Sequence, residues 1–223
     1  MRKNPQGAIG VKSIYEQALG ERFYRLHPKL QEKFGLTSEM NRTAIASGVM
    51  EEISGGHPLL RPCFILGTPM HIVFPERGKD IPFTLTNVAY RVAEGKEMFA
   101  WLREFHFPKA VRRFDAVMWY DGRRNVIIDA FGTQQNFVSV LHMDVREDGG
   151  IRIVSERQWL RIFGLNVPIP KPFRGEAEIH EWYNDEAEAF SVHVHVRNPL
   201  AGTLFEYRGS FKTEYVTQGG EHH

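Results

Sequence analysis

From Pro82 onward the chain alternates apolar and polar residues with a period of two, stretch after stretch, between short turn signals. This pattern restricts the fold more than any other feature, because successive side chains point to opposite faces only in a β-strand. Nine strands are predicted, over 83–92, 97–107, 114–120, 126–131, 138–145, 151–163, 175–183, 190–196 and 203–215. Asp121-Gly122 has the composition of a tight hairpin turn. Links this short leave no room for crossover helices, so the strands should run antiparallel. A sheet of this many long strands tends to curl closed, because an open one leaves unpaired edges. The fold class predicted is therefore mainly β, a single antiparallel up-and-down β-barrel. A helix packed into a strongly curved sheet is the alternative. Eight to ten strands would enclose an interior wide enough for a small ligand.

The N-terminal part reads differently. Ser13 is placed to cap a helix carrying Ile14, Ala18, Phe23 and Leu26, with Gly20 as an interruption. His27-Pro28 breaks it, and a second short helix is predicted from Pro28 to Phe34, stopped by Gly35. Residues 43–53 fit either a strand or a helix ending at Gly55-Gly56. Residues 59–74, interrupted by Pro62 and Pro69, suggest a short helix and a strand at 70–74. The resulting organisation is an extended or disordered stretch over 1–12, one domain over 13–216 and a disordered tail over 217–223. Within the domain, 13–80 is helical or irregular and 81–216 is the barrel.

Composition narrows the function classes. Net charge is +1, so no global basic field attracts nucleic acid, and none is expected as a partner. The single cysteine, Cys63, excludes an internal disulfide and a cysteine-based zinc site, and its apolar surroundings suggest a buried small hydrophobe. No stretch approaches the roughly 20 apolar residues of a membrane-spanning helix. The N-terminus lacks the apolar core of a signal peptide, so the cytoplasm is the expected location. No nucleotide-binding, nucleophile-elbow or zinc-hydrolase motif occurs. The sequence leaves cofactors and protein partners unknown; a small apolar molecule is the partner expected. His222 and His223, native or not, receive no metal role.

Two groups of residues could carry chemistry. On the strand 190–196, His193 and His195 share one face, two residues apart, as paired metal ligands or acid–base groups would. The preceding strand places Glu178 and His180 on a common face, and the Asn184-Asp185 turn should bring the two strands side by side. A polar outer stripe with ordinary cross-strand pairs explains the same residues. The second group is aromatic. Phe99, Trp101, Phe105 and Phe107 share a face with Arg103, while Phe205, Tyr207, Phe211 and Tyr215 share another around Gly209. With Trp119 they form either packed core or the wall of an apolar cavity. In the latter case Trp101, Arg103, Phe105, Trp119, Phe205 and Tyr207 are the ligand-binding residues.

Several phrases form a set: Leu19-Gly20-Glu21-Arg22-Phe23, Leu26-His27-Pro28-Lys29-Leu30-Gln31, Arg61-Pro62, Phe74-Pro75-Glu76, Asp80-Ile81-Pro82-Phe83, Arg112-Arg113-Phe114-Asp115-Ala116, Gly132-Thr133-Gln134-Gln135, Glu181-Trp182-Tyr183 and Tyr207-Arg208-Gly209. Together they resemble a bacterial domain-of-unknown-function family, numbered four-one-six-six, from about Ile14 to Phe211. The resemblance implies one domain, found alone or attached to other modules, some of them dehydrogenase-like. It implies no activity, cofactor or catalytic residue. The phrases fall mostly at turns and strand ends, where a binding rim would lie.

Three functions remain open at this point. The first is non-enzymatic binding of a small apolar or amphipathic molecule in the barrel. The second is an acid–base enzyme, with or without a metal, using His180, His193, His195 and Glu178 inside the barrel. The third is an accessory interaction domain.

Overall fold

The structure, a computed structural model, describes residues 10–217; the side chains of Leu59 and Cys63 are set aside. The expectations for residues 1–9 and 218–223, and for the burial of Cys63, fall outside the described set.

Eleven strands form one antiparallel sheet: β1 Arg42–Ser54, β2 Gly78–Arg91, β3 Glu97–Phe107, β4 Ala110–Asp121, β5 Val126–Phe131, β6 Phe137–Val145, β7 Ile151–Ile162, β8 Leu165–Pro168, β9 Glu176–Asn184, β10 Ala189–Asn198 and β11 Gly202–Thr217. Ten of them close into an up-and-down barrel, because β6 pairs with β7, β7 with β9, and β11 returns to β1. The remaining strand, β8, extends only the end of β7.

The structure decides the open reading of 43–53 and corrects two other expectations. Residues 42–54 are a barrel strand, so the barrel begins well before residue 81. Their inward residues are mostly small (Ala44, Ala46, Gly48), which blunts the alternation by which a strand is recognised. The Pro-rich stretch 167–172 is in part β8, whose four residues are all exposed and so show no alternation of burial. The strand expected at 70–74 is absent; a 3-10 turn at Thr68–Met70 follows helix α3, Arg61–Gly67.

The N-terminal helices are α1, Ile14–Leu19, and α2, Pro28–Phe34. Ser13 caps α1, its Oγ accepting from the Glu16 amide at 3.0 Å, and Gly20 ends it at φ 57°, a conformation glycine adopts at little cost. Proline opens α2 and Gly35 closes it. Both helices plug one end of the barrel. Tyr15, Leu30, Phe34 and Leu36 are buried within the same apolar cluster as the inward residues of the strands. At this plug end the His27 amide donates to Gly149 in the β6–β7 turn. The opposite rim carries α3 and the loops 108–109, 132–136, 163–164, 169–175 and 199–201.

Period-two alternation follows the burial along β3 and β10, where one face meets the core and the other does not. Strand β5, like β6 over 138–141, shows burial on both faces. Its outer residues Val126, Ile128 and Ala130 join Val138 and Val140 under Trp119 and Trp159. Lys96 and Arg161 lie over the Trp119 ring at 4.2 and 5.5 Å. Gly209 marks the expected bend: it lies at the register shift between Met50 and Glu52, where a Cβ would meet the backbone of β1.

Candidate functional site

The four acid–base candidates come together, but on the outer wall. Register pairs His193 with His180 and His195 with Glu178. Each is engaged by a different neighbour. His193 contacts Glu206 at 2.8 Å, His195 contacts Thr203 at 3.1 Å, and His180 lies 3.3 Å from Asp148. The Arg152 guanidinium donates to Glu178 at 2.6 Å and holds its carboxyl below the usual range. Partial burial lowers the His180 pKa, and Arg146 adds to that effect. Among the described residues, no three His, Cys, Asp or Glu side chains are grouped as a metal site.

The aromatic candidates divide. Trp119 is on the outer wall. Phe105 and Phe205 face inward near the opposite rim, where the ring of Phe74 lies 5.1 Å from each and closes a packed cluster. Trp101, Arg103 and Tyr207 are inward and buried nearer the middle of the barrel. There the Trp101 indole donates to the Tyr15 hydroxyl at 2.9 Å, and Arg103 donates through Nε to the Phe114 carbonyl at 3.0 Å.

Around these residues the interior carries charge that the sequence pattern did not single out. The Lys33 ammonium meets Glu181 at 2.5 Å, with both side chains almost fully buried. It also lies 4.7 Å from the Phe211 ring centre and 5.3 Å from that of Trp101. Burial lowers the Lys33 pKa, while Glu181 opposes the shift. Asp129, inward on β5, is pushed up to about 7 by burial, with Arg103 pulling the other way. Burial likewise raises the Tyr15 and Tyr207 phenols.

Several inward polar atoms have no hydrogen-bond partner among the described residues. They are both amide atoms of Asn87, Oδ1 of Asp129, Oγ1 of Thr213 and the Tyr215 hydroxyl. Three of these residues are linked by register. Asn87 on β2 and Tyr215 on β11 both lie opposite Ala44 of β1, and Thr213 lies opposite Ala46. The short side chains of β1 thus separate two polar walls. Thr213 and Tyr215 also line a cleft of about 140 Å³ at the plug end, between α2 and the β9–β11 wall. Tyr183 and Phe190 supply its apolar side, and Lys29, Glu32, Glu188 and Lys212 its charged lining. Burial raises the Tyr215 phenol, so this hydroxyl keeps its proton and remains a donor.

Sequence reasoning missed this site because its members are scattered. Lys33 is one charge among several on a short helix, and Asn87 one polar residue in a strand. The available signal was a polar or charged residue on an otherwise apolar inward face, as with Asn87 on β2, Asp129 on β5 and Glu181 on β9.

Comparison with known proteins bears on the whole chain. A family model described as Domain of unknown function (DUF4166) matches residues 26–211. The uncharacterized protein YndH of Bacillus subtilis (strain 168) is 40% identical over 204 residues, covering 92% of this chain and 98% of that protein.

Proposed function

The chain belongs to the DUF4166 family, and since that family's description assigns no activity, we propose from the barrel itself that the protein binds a small amphipathic molecule. The molecule would sit at the plug end between α2 and the wall formed by β11, β1 and β2. The reading rests on one observation: Asn87, Thr213 and Tyr215 carry buried polar atoms that no described residue satisfies, on either side of a strand of small residues. Each such atom costs about 1–3 kcal/mol when left unpaired, and native proteins rarely leave several together. A ligand with one hydroxyl, amide or carboxyl group would satisfy them, and its apolar part would lie against Tyr183 and Phe190. Asp129 and Arg103, deeper in the barrel, extend the polar surface available to a longer molecule.

This reading supports non-enzymatic binding over acid–base catalysis. The histidine and carboxylate set of β9 and β10 faces outward, with His193, His195 and Glu178 each hydrogen-bonded to a separate neighbour and His180 3.3 Å from Asp148. The test is native mass spectrometry of the protein purified from its own host. The wild type should carry an additional small mass, and Asn87→Leu with Thr213→Val should lose it while remaining folded. A wild-type protein of bare polypeptide mass would sink the proposal.

A further inference from the structure

The two ends of the barrel differ in charge and in exposed apolar surface. At the plug end, the inter-strand loops 92–96, 122–125, 146–150 and 185–188 contain six Asp or Glu and four Lys or Arg. At the opposite rim, the connections 55–77, 108–109, 132–136, 163–164, 169–175 and 199–201 contain five Lys or Arg and one carboxylate, Glu76. Arg112 already engages that carboxylate at 2.5 Å. Arg61, Lys109 and Lys171 are exposed, and no carboxylate pairs with them among the described residues.

The same rim holds the five most exposed large apolar residues described. They are Phe163 at 100%, Leu66 at 76%, Leu200 at 75%, Phe173 at 73% and Leu165 at 68%. Their loops are tied together. Asn198 donates to the carbonyls of Pro172 and Arg174 at 2.8 Å each, which sets Leu200 beside the Phe173 turn. Arg77 donates to the Leu204 carbonyl and lies over the Phe64 ring of α3. Phe163 occupies the tip of the β7–β8 hairpin at φ 50°, followed by Gly164 at φ 78°. A two-residue turn with both residues left-handed favours Asn-Gly, and an aromatic residue gains nothing there from the turn or from burial. A strained and wholly exposed phenylalanine is better explained by what it touches outside the chain.

We propose that this rim docks on an anionic membrane surface, with Phe163, Phe173 and Leu200 entering the headgroup boundary and Arg61, Lys109 and Lys171 meeting lipid phosphates. Protruding aromatic and aliphatic tips among cations that outnumber the carboxylates of the same connections match an anionic bilayer on both counts. The proposal concerns the outer surface alone and stands or falls independently of ligand binding inside the barrel.

The test is co-sedimentation with phosphatidylcholine vesicles, with and without about one part in three of phosphatidylglycerol. The wild type should bind the anionic vesicles and be released as salt rises to about 0.5 M. Phe163→Asn suits the turn better than the native residue, so the variant folds, and a melting curve at or above the wild-type temperature verifies this. It should weaken binding by about tenfold, and Lys171→Gln by about fivefold. Failure of the wild type to sediment with anionic vesicles would overturn the proposal. So would equal, salt-insensitive binding to both vesicle types, or binding unaffected by either variant. A dimer that Phe163→Asn converts to monomer, without vesicle binding in either form, would assign the face to self-association instead.

Discussion

Lys33 and Glu181 pair inside the barrel at 2.5 Å with almost no solvent contact. Removing one partner leaves the other charge buried and uncompensated. Lys33→Met alone should therefore destabilise by about 3–5 kcal/mol, whereas Lys33→Met combined with Glu181→Leu should come close to wild type. Urea denaturation of the two variants checks this, and equal losses in both would contradict it. Asp129 offers a pH test. Its carboxyl rises from 3.8 to about 7 on folding, so between those values the folded protein holds a proton that the unfolded chain releases. Stability contributed by this group is present below about pH 4 and declines as pH rises through 7. Asp129→Asn should remove that decline, making the variant more stable than wild type at pH 8 by a margin of up to about 4 kcal/mol. A wild-type and variant difference that does not change between pH 4 and 8 would show that Asp129 does not titrate in this window.

The plug depends on α2, whose Phe34 is fully buried and lies edge-on to Tyr15 with centroids 4.7 Å apart. Phe34→Ala should cost about 3–5 kcal/mol, because the barrel wall around it cannot collapse inward to fill the void. Amide exchange should quicken first in the N-terminal helices, and exchange that quickens first in β5 and β6 would place the weak element elsewhere. At this scale most of the fold was legible from the sequence. The caps Ser13 and Gly35 and the bounds of α2, β3 and β5 follow directly from local residues. β1 was ambiguous because alanine and glycine face the barrel interior there, and a Cβ at Gly48 would meet the backbone of β11. β8 was hidden among prolines in a hairpin exposed on both faces. The site was less legible than the fold. Closure across β1 and β11 brings Asn87 near Tyr215 although 128 positions separate them in the chain. No local pattern encodes such a pairing.

As a whole, the described molecule is a closed wall stopped at one end by helices α1 and α2, with buried polar groups beneath that stopper. Helices that fill the barrel mouth would also control entry, since the cleft of about 140 Å³ lies directly beside α2. If the unsatisfied atoms of Asn87, Thr213 and Tyr215 exist for a ligand, replacing them by apolar groups of similar shape should stabilise the empty protein. Asn87→Leu is expected to raise stability by about 1 kcal/mol in protein stripped of bound small molecules, measured by thermal unfolding; a clear loss would mean that the amide has a structural partner. The most direct measurement is a high-resolution crystal structure of the protein isolated from its own host. The account predicts electron density for a non-protein molecule within hydrogen-bond distance of Tyr215 and Asn87. Density showing those groups bonded only to one another, to other protein atoms or to isolated waters would contradict it.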